Sequence, residues 1–518
     1  NDNEGRLKDL VQRLEAQGIE LYKNNEPIEV DQATHQTGET HKKFNIPAGS
    51  LIIPNRQPDA PLVAAIMEFD AEFSKSVLIE ERQKTLKDGS SIMYDTTAWN
   101  FSMMYGLPAV TVDQEITDEL IPWQTTSTPI VLDSNANAWT VNGNDDRSVA
   151  FAARLMEKGV NVRVVDQSTK ISGAKISRGS VIVTKVDNPN VLNLSKLVAN
   201  EANYLGTPVA SISSGYGKGD LPDWGGRHFR LLNRPQIAIL SHNGFNSYDV
   251  GASWWSIDHH LGIRHSQINS SFISRADLRR YNTIVMPSGS RNLNASETAM
   301  LSDWVKQGGT LIAHGWSTNS LASDEGIGTV RRVQDTFEKA QDYDLKVQRE
   351  LLAENYKLEM KSVMSHYVDT ETPYPWKSGA EILSKDELEK RDKWQSIFMP
   401  SGAMVVGRVD SEHWLTFGTP EILPLLYGNQ PILMTDNQSE AVVRIGKLNK
   451  NYGSEEARAI NWSTLPSGYD MQVRMSGLVW PEASQRIANS AYLTRERHGR
   501  GQVILFSGQP NFRGATRG

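Results

Sequence analysis

Cysteine is absent from this sequence of 518 residues. The chain therefore holds no disulfide, no thiolate metal ligand and no cysteine nucleophile. In so long a chain, avoidance of cysteine favours an exported bacterial protein. We expect a periplasmic or secreted location.

Long apolar runs and an excess of positive charge are also missing. No run approaches the roughly 18 apolar residues typical of a membrane-spanning helix, so we expect no membrane span. The 54 Lys and Arg are outnumbered by 61 Asp and Glu, which gives a net charge of −7. Because phosphates are neutralised by clustered Lys and Arg, we expect no nucleic-acid partner.

What remains is an ordinary globular composition, with 39% hydrophobic and 22% charged residues. At about 150 residues per domain, the length suggests two to four domains.

The N-terminal 230 residues contain a degenerate internal repeat. The stretch LEAQGIEL around Gly18 parallels LMEKGVNV around Gly159, and each combines a helical pattern, a glycine stop and a strand pattern. The markers AGSLIIP and RGSVIVT follow in the same order. We predict two related α/β units, at 1–127 and 128–215, although chance similarity remains an alternative. Residues 216–234, rich in glycine and charge, are predicted to be a linker.

The clearest alternation of strand and helix patterns begins at residue 235. Short apolar runs alternate with helical stretches, and Asn294 with Glu297 forms a capping-box pattern. This order predicts a doubly wound, mostly parallel sheet in an α/β domain at 235–518. Charge-rich residues at about 330–400 are predicted to form a solvated helical insertion, and the strands from 402 onward to complete or cover the sheet. The four strand runs are QIAIL (236–240), residues 264–269, NTIVMP (282–287) and TLIA (310–313).

Ligands of such sheets bind beyond the carboxyl ends of the strands. Ser317 with His314 three residues earlier could form a nucleophile and base at a strand-to-helix turn, but Ser317 is equally a candidate helix N-cap. The candidate ligand-binding edge consists of His242, Asn243, Ser288, His314, Trp316 and Ser317.

Histidine can be searched completely, because there are only eleven. None forms H-E-x-x-H or H-x-x-E. A catalytic zinc needs three protein ligands and an open position, and local spacing does not supply them. We therefore assign no catalytic and no metal-ligating residue in this chain, while ligands distant in sequence remain an alternative.

The order of several motifs resembles the region downstream of the catalytic domain in large bacterial carboxypeptidase A-like zinc peptidases. The most specific pieces are YDTTAW and HWLTFG, and the order runs from about residue 5 to 514. The resembling segments are AGSLIIP (48–54), YDTTAWNFSMMYGLP (94–108), RGSVIVT (178–184), RPQIAIL (234–240), YDVGASWWSIDHHLGI (248–263), GGTLIAHG (308–315), SEHWLTFGTP (411–420) and GQVILFSGQPNFRG (501–514).

The resemblance implies a non-catalytic C-terminal region that ends in a domain similar to class I glutamine amidotransferases. The parent reaction would be metal-dependent hydrolysis of C-terminal peptide bonds. By resemblance, zinc belongs to an upstream peptidase domain and no cofactor to this chain. Implied partners are that upstream domain and the parent's peptide substrate, and a homo-oligomer is left open. The chain departs from true amidotransferases because it has no cysteine nucleophile.

The sequence also allows two alternative functions. The edge of the 235–320 sheet could serve an independent hydrolase or transferase. It could also belong to a small-ligand-binding module, in which Trp139, Trp254, Trp255 or Trp304 would offer a stacking surface.

Overall fold

The computed structural model describes residues 3–116, 119–125, 129–354, 358–367, 383–451 and 457–516. Its described residues up to 125 form small antiparallel sheets flanked by helices. Their helices are α1 (Glu4–Glu15), α2 (Ala60–Met67), α3 (Lys75–Asp88) and α4 (Phe101–Met104), and their strands are β1 (Tyr22–Asn24), β2 (Ile28–His35), β3 (Thr40–Ile46), β4 (Leu51–Ile52), β5 (Val110–Thr111) and β6 (Leu120–Pro122).

The next hundred residues build a five-stranded sheet in the order β12-β7-β11-β8-β13. Two helices pack with it and with one another. The helices are α5 (Arg147–Glu157) and α6 (Leu194–Leu205), and the strands are β7 (Ala138–Val141), β8 (Arg163–Val165), β9 (Thr169–Ile171), β10 (Ala174–Ile176), β11 (Val181–Thr184), β12 (Ala210–Ile212) and β13 (Phe229–Leu231).

The same strand pairings occur in both regions. β1 pairs antiparallel with β4, with Tyr22 opposite Ile52, and β8 pairs antiparallel with β11, with Arg163 opposite Ile182. On their other sides, β1 pairs with β6 and β8 with β13. Since Tyr22 and Arg163 each lie four residues after the stop glycine, element order and register repeat together. The repeat seen in the sequence is therefore a structural one.

An arginine near the start of each leading helix joins the two repeats. Arg6 donates to the carbonyl oxygen of Tyr105 and pairs with Asp146 at the start of α5. Arg147 donates to the carbonyl oxygen of Leu205, and in turn reaches α1. Each arginine thus satisfies a carbonyl at a helix end of its own repeat and also binds the other repeat.

The predicted linker 216–234 is in part a strand. β13 pairs antiparallel with β8, and Phe229 is buried in the same small core as Ile212. This part of the segment belongs to the sheet of the second unit because its apolar residue needs that core. The domain boundaries themselves remain predictions.

The rest of the chain is built around one large mixed sheet, with twelve strands among the described residues. The helices are α7 (Ser247–Trp255), which continues as a π-helical turn (Ser256–Leu261), α8 (Ala295–Lys306), α9 (Thr318–Leu321), α10 (Ala340–Glu354), α11 (Met360–Val363), α12 (Lys385–Gln395) and α13 (Pro481–Ile487); the strands are β14 (Ile237–Ser241), β15 (His265–Asn269), β16 (Thr283–Met286), β17 (Thr310–His314), β18 (Arg331–Arg332), β19 (Ala403–Val409), β20 (Ile422–Tyr427), β21 (Leu433–Met434), β22 (Glu440–Ile445), β23 (Lys447–Lys450), β24 (Arg458–Ile460), β25 (Ser463–Leu465), β26 (Tyr469–Gln472), β27 (Arg474–Ser476), β28 (Ala491–His498) and β29 (Gly501–Phe506).

The main path of this sheet runs β15-β14-β16-β17-β29-β28-β22-β19-β20. The four predicted strands from 235 to 320 and β29 pair in parallel. From β28 onward the pairs are antiparallel, beginning with a tight hairpin between His498 and Gly501. The sheet is therefore mixed rather than mostly parallel. Most strands after residue 402 join this sheet, as the sequence predicts, whereas β23 with β26 and β24 with β25 form separate two-stranded sheets.

The region at about 330–400, predicted to be a solvated helical insertion, is partly buried. Helices α10, α11 and α12 are present, while residues 355–357 and 368–382 lie outside the described part of the chain. However, Tyr343, Val347 and Leu351 of α10 are buried in the large core cluster beside the sheet. These positions are four residues apart and so share one helix face. Helix α10 is therefore a core helix rather than a solvated one, whereas α11 has no buried residue. The insertion as a whole remains a prediction.

Candidate functional site

Parallel pairing brings the predicted edge residues to one end of the sheet. β14 ends at Ser241, β16 at Met286 and β17 at His314, and the three strands run in the same direction. The chain leaves β14 for β15 on one side and returns to β16 on the other. A crevice for ligands is therefore expected between the carboxyl ends of β14 and β16.

The chain's own loops fill this crevice. The backbone of Phe245 forms an antiparallel bridge with Gly289. The Asn246 amide donates to the Ser288 carbonyl oxygen at 2.9 Å, and the Arg291 amide donates to the Gly244 carbonyl oxygen at 3.2 Å. A Cβ on Gly289 would lie 2.1 Å from that Gly244 oxygen. The contact therefore requires glycine, and it leaves no room for a ligand between the two loops.

Ser317 has a structural role in this arrangement. The side chain is fully buried, and its hydroxyl donates to the Pro287 carbonyl oxygen at 2.5 Å. Ser317 also stands at the N-cap position of α9 without a side-chain capping bond. The hydroxyl ties the turn after β17 to the end of β16, and His314 does not bond to it.

His314 is buried and held neutral. Burial lowers the pKa of its imidazole to about 4. Its Nε2 lies 3.2 Å from the Ser253 hydroxyl, and that hydroxyl donates to the Asp249 carbonyl oxygen. Ser253 therefore accepts from His314, which assigns the proton to Nε2. Nδ1 is then a buried acceptor, and it has no partner among the described residues.

Ser288 connects two loops at the same edge. Its hydroxyl oxygen accepts from the Trp316 amide at 3.1 Å, and it lies near the Asp249 carboxyl group. Burial raises the pKa of Asp249 to about 6, although the nearby Ser288 hydroxyl acts in the opposite direction. Gly315 has a φ of 58°, and a Cβ there would lie 2.5 Å from the Ser288 hydroxyl oxygen.

His242 and Asn243 lie on the exposed side of the edge. His242 has a left-handed φ of 68°, and its Nδ1 lies 2.7 Å from the Ser241 hydroxyl. The side-chain amide of Asn243 donates to the Ser271 hydroxyl at 2.7 Å. The Trp316 side chain is also exposed. Among the hydrogen bonds of the described residues, none joins His242, His314 and Ser317 to one another. The Ser–His pair considered from the sequence is therefore not formed.

Sequence reasoning missed Asp249 and Ser253, which organise this edge. Both lie on α7, the helix that follows β14, and they are four residues apart on one face. That spacing directly after a predicted strand is the signal that could have identified them.

The other face of α7 is exposed and aromatic. Tyr248, Trp254 and Trp255 are 82%, 38% and 38% exposed. The Trp255 ring stacks on His259 with centroids 3.9 Å apart. Trp139 and Trp304 are buried instead, so only part of the tryptophan set considered for stacking is accessible.

The described residues contain no group of three or more His, Asp or Glu side chains arranged to hold a metal ion. No helix in the described parts of the chain is both long and apolar enough to cross a membrane.

No protein-family model and no curated protein sequence matches the chain. Among solved structures it is similar to a β-galactosidase from Bacillus circulans sp. alkalophilus, at 10% identity and a TM-score of 0.27, over 54% of this chain and 30% of that one. It is also similar to a ThuA-like protein from Bacteroides uniformis, at 9% identity and a TM-score of 0.25, over 53% of this chain and 81% of that one. A β-galactosidase from Rahnella sp. R3 gives 12% identity and a TM-score of 0.22, over 55% of this chain and 30% of that one.

The chain thus spans less than a third of the length of these two β-galactosidases. At such TM-scores the similarities carry no conclusion about function. The resemblance drawn from the sequence remains a prediction.

Proposed function

We propose that the chain is a non-catalytic accessory region of a larger hydrolase, whose parent reaction is metal-dependent hydrolysis of C-terminal peptide bonds. The parent is inferred from the motif resemblance. The non-catalytic role is supported above all by the filled crevice between β14 and β16. There the Phe245–Gly289 bridge occupies the position in which this type of sheet holds its ligand.

The directions of the polar side chains support the same role. A nucleophilic hydroxyl must be accessible and close to its base. Ser317 is buried and donates to a backbone carbonyl, and the His314 proton points to Ser253. Both side chains stabilise the turns that close the edge.

The accessory role we propose is packing against a separate zinc peptidase domain. The exposed face of α7 has a suitable composition, because Trp and Tyr are enriched where proteins contact one another. Zinc and the reaction chemistry would belong to that partner domain. A periplasmic or secreted location is part of the same proposal.

We also propose that the parallel half of the large sheet is a doubly wound domain similar to class I glutamine amidotransferases. The strand order β15-β14-β16-β17-β29 supports it, because it follows the 2-1-3-4-5 order of one common doubly wound class.

The experiment is to purify the natural polypeptide that contains this sequence, using antibodies raised against the chain, and to measure its intact mass and zinc content. The proposal predicts a polypeptide larger than the 57.7 kDa of this chain, with about one zinc that is absent from the chain alone. A natural product of 57.7 kDa that hydrolyses peptides by itself would contradict it.

A small-ligand-binding module is the second candidate, and the half-buried Asp249 favours it. A carboxyl group whose pKa is raised to about 6 beside the exposed Trp316 could meet a polar ligand at the rim of the edge. Titration of candidate peptides and sugars against the Trp316 indole NMR signal tests this. Saturable shifts that Asp249→Asn abolishes would favour the second candidate over the first.

A further inference from the structure

Three exposed lysines form a row across extended segments of the second α/β unit. In the hairpin of β9 and β10, Lys170 lies directly opposite Lys175. On the other side of β9, Ile171 forms an antiparallel bridge with Gly217, and the Lys218 amide donates to the Lys170 carbonyl oxygen at 2.9 Å. Lys218 is therefore the residue opposite Lys170 on that side. Because directly opposite side chains of an antiparallel pair share one face, the three exposed lysines form a single lysine row.

No counter-charge is paired with this lysine row. Among the described residues, none of its three lysines forms an ion pair. The Asp223 carboxylate is engaged with the backbone instead, since it accepts from the Gly217 amide at 2.6 Å. Like charges directly opposite one another destabilise a sheet. The row therefore lowers the stability of the chain unless an anion is bound to it.

The backbone that carries the row is held in place. A Cβ on Gly217 would lie 2.3 Å from the Leu221 carbonyl oxygen and 2.7 Å from the Pro222 carbonyl oxygen, so the chain packs closely against itself there. The Thr169 hydroxyl donates to the same Pro222 oxygen at 2.9 Å. The inward side chains of the hairpin are buried in a small core. The three ammonium groups therefore extend from fixed positions.

The geometry of the lysine row indicates the chemistry of a ligand. Neighbouring strands lie about 5 Å apart, so the row spans about 10 Å. A lysine ammonium is a point charge with three donors, and it commonly binds phosphate. A short chain of phosphate groups places several negative charges within this length. A long polyanion such as a nucleic acid would also meet the rest of the surface, and the net charge of −7 opposes it.

We propose that the lysine row binds the short phosphate chain of a soluble ligand. The ammonium groups of Lys170, Lys175 and Lys218 donate to successive phosphate groups, and the bound anion removes the repulsion between the lysines. The site is separate from the edge of the large sheet, and its test does not depend on the accessory role.

The probe is sodium tripolyphosphate, titrated into the full chain by calorimetry in a magnesium-free buffer of low ionic strength. Orthophosphate and sodium chloride, at matched ionic strength, are the controls. We expect saturable binding of tripolyphosphate and binding of orthophosphate that is weaker by about tenfold or more. Equal binding of the two phosphates, or no saturable binding of tripolyphosphate at millimolar concentrations, would overturn the proposal.

Vesicles that contain phosphatidylglycerol test the other source of phosphate groups. We expect tripolyphosphate to bind in the absence of any vesicle. Binding to the vesicles alone, with none to tripolyphosphate, would assign the row to a membrane surface and overturn the proposal.

Paired variants locate the binding. Lys170→Gln combined with Lys175→Gln removes two charges from the row, and the affinity should fall by about tenfold or more. Lys42→Gln combined with Lys43→Gln is the matched control, because these lysines are also exposed on a hairpin strand, β3. The control should bind as wild type does. Undiminished binding in the first pair, or an equal loss in the control pair, would refute the assignment.

Stability gives a second readout of the row. Because its lysines repel one another, the variant with Lys170→Gln and Lys175→Gln should melt at a higher temperature than wild type at low ionic strength, and salt should reduce the difference. Added tripolyphosphate should raise the melting temperature of wild type but not that of the variant. A variant that melts below wild type, or an equal rise in both proteins, would contradict the proposal.

Discussion

His314 gives the sharpest prediction about pH. Burial lowers the pKa of its imidazole from the ordinary 6.5 to about 4 in the folded chain. In the unfolded chain, His314 therefore binds a proton below about pH 6.5, whereas in the folded chain it does so only below about pH 4. The contribution of His314 to stability is complete above pH 6.5 and is lost as the pH falls through this window.

The magnitude follows from the shift. Each pKa unit corresponds to about 1.4 kcal/mol, so a shift of 2.5 units amounts to about 3 kcal/mol in total. About 2.5 kcal/mol of this should be lost between pH 7.5 and pH 4.5. Asp249 acts in the opposite direction because its pKa is raised. Only a comparison with a His314 variant isolates the histidine.

Two measurements check this. In the first, the titration of the histidine Cε1–H NMR signals is followed, and His314→Gln identifies the His314 signal among the eleven histidines. In the second, urea unfolding of wild type and His314→Gln is compared at pH 7.5 and pH 4.5. Wild type should lose about 2.5 kcal/mol relative to the variant, while exposed His366→Gln should show no such change. A His314 signal that titrates near pH 6.5, or a constant stability difference, would refute the reasoning.

Three further predictions concern the closed edge. Gly289→Ala should lower the free energy of unfolding by about 2 kcal/mol or more, because its Cβ would meet the Gly244 carbonyl oxygen. The control is Gly251→Ala in α7, where there is open space for the Cβ, and it should raise the free energy of unfolding by about 0.5–1 kcal/mol. Thermal unfolding measures both variants. Ser317→Ala leaves the buried Pro287 oxygen without its donor and should cost about 1–3 kcal/mol in the same assay; an unchanged melting temperature would argue against a structural hydroxyl. Asp249→Asn should gain stability relative to wild type as the pH rises from 4 to 7, because the raised pKa of Asp249 penalises its ionised form there; parallel pH profiles of the two proteins would contradict this.

The sequence predicted the strands of the large sheet well, because each is a short apolar run between turn signals. The capping box at Asn294 and Glu297 is confirmed. The repeat around Gly18 and Gly159 also reappears in the strand pairings, since a glycine at positive φ ends each helix before the strand.

The closure of the crevice could not be predicted in this way. It depends on the backbones of Gly244 and Gly289, which are 45 residues apart and carry no apolar periodicity. The edge residues were found because strand ends are predictable, but their hydrogen-bond directions depend on tertiary contacts. The burial of α10 was missed for a related reason: its many charged residues outweighed three apolar positions that share one face.

The most direct test of the accessory role uses the purified chain alone. Its bound zinc is measured by elemental analysis after dialysis, and its hydrolysis of C-terminal peptide bonds is measured with added zinc and with a chelator. The account predicts almost no bound zinc and no hydrolysis that depends on the metal. About one tightly held zinc per chain, with peptide hydrolysis abolished by the chelator, would contradict it.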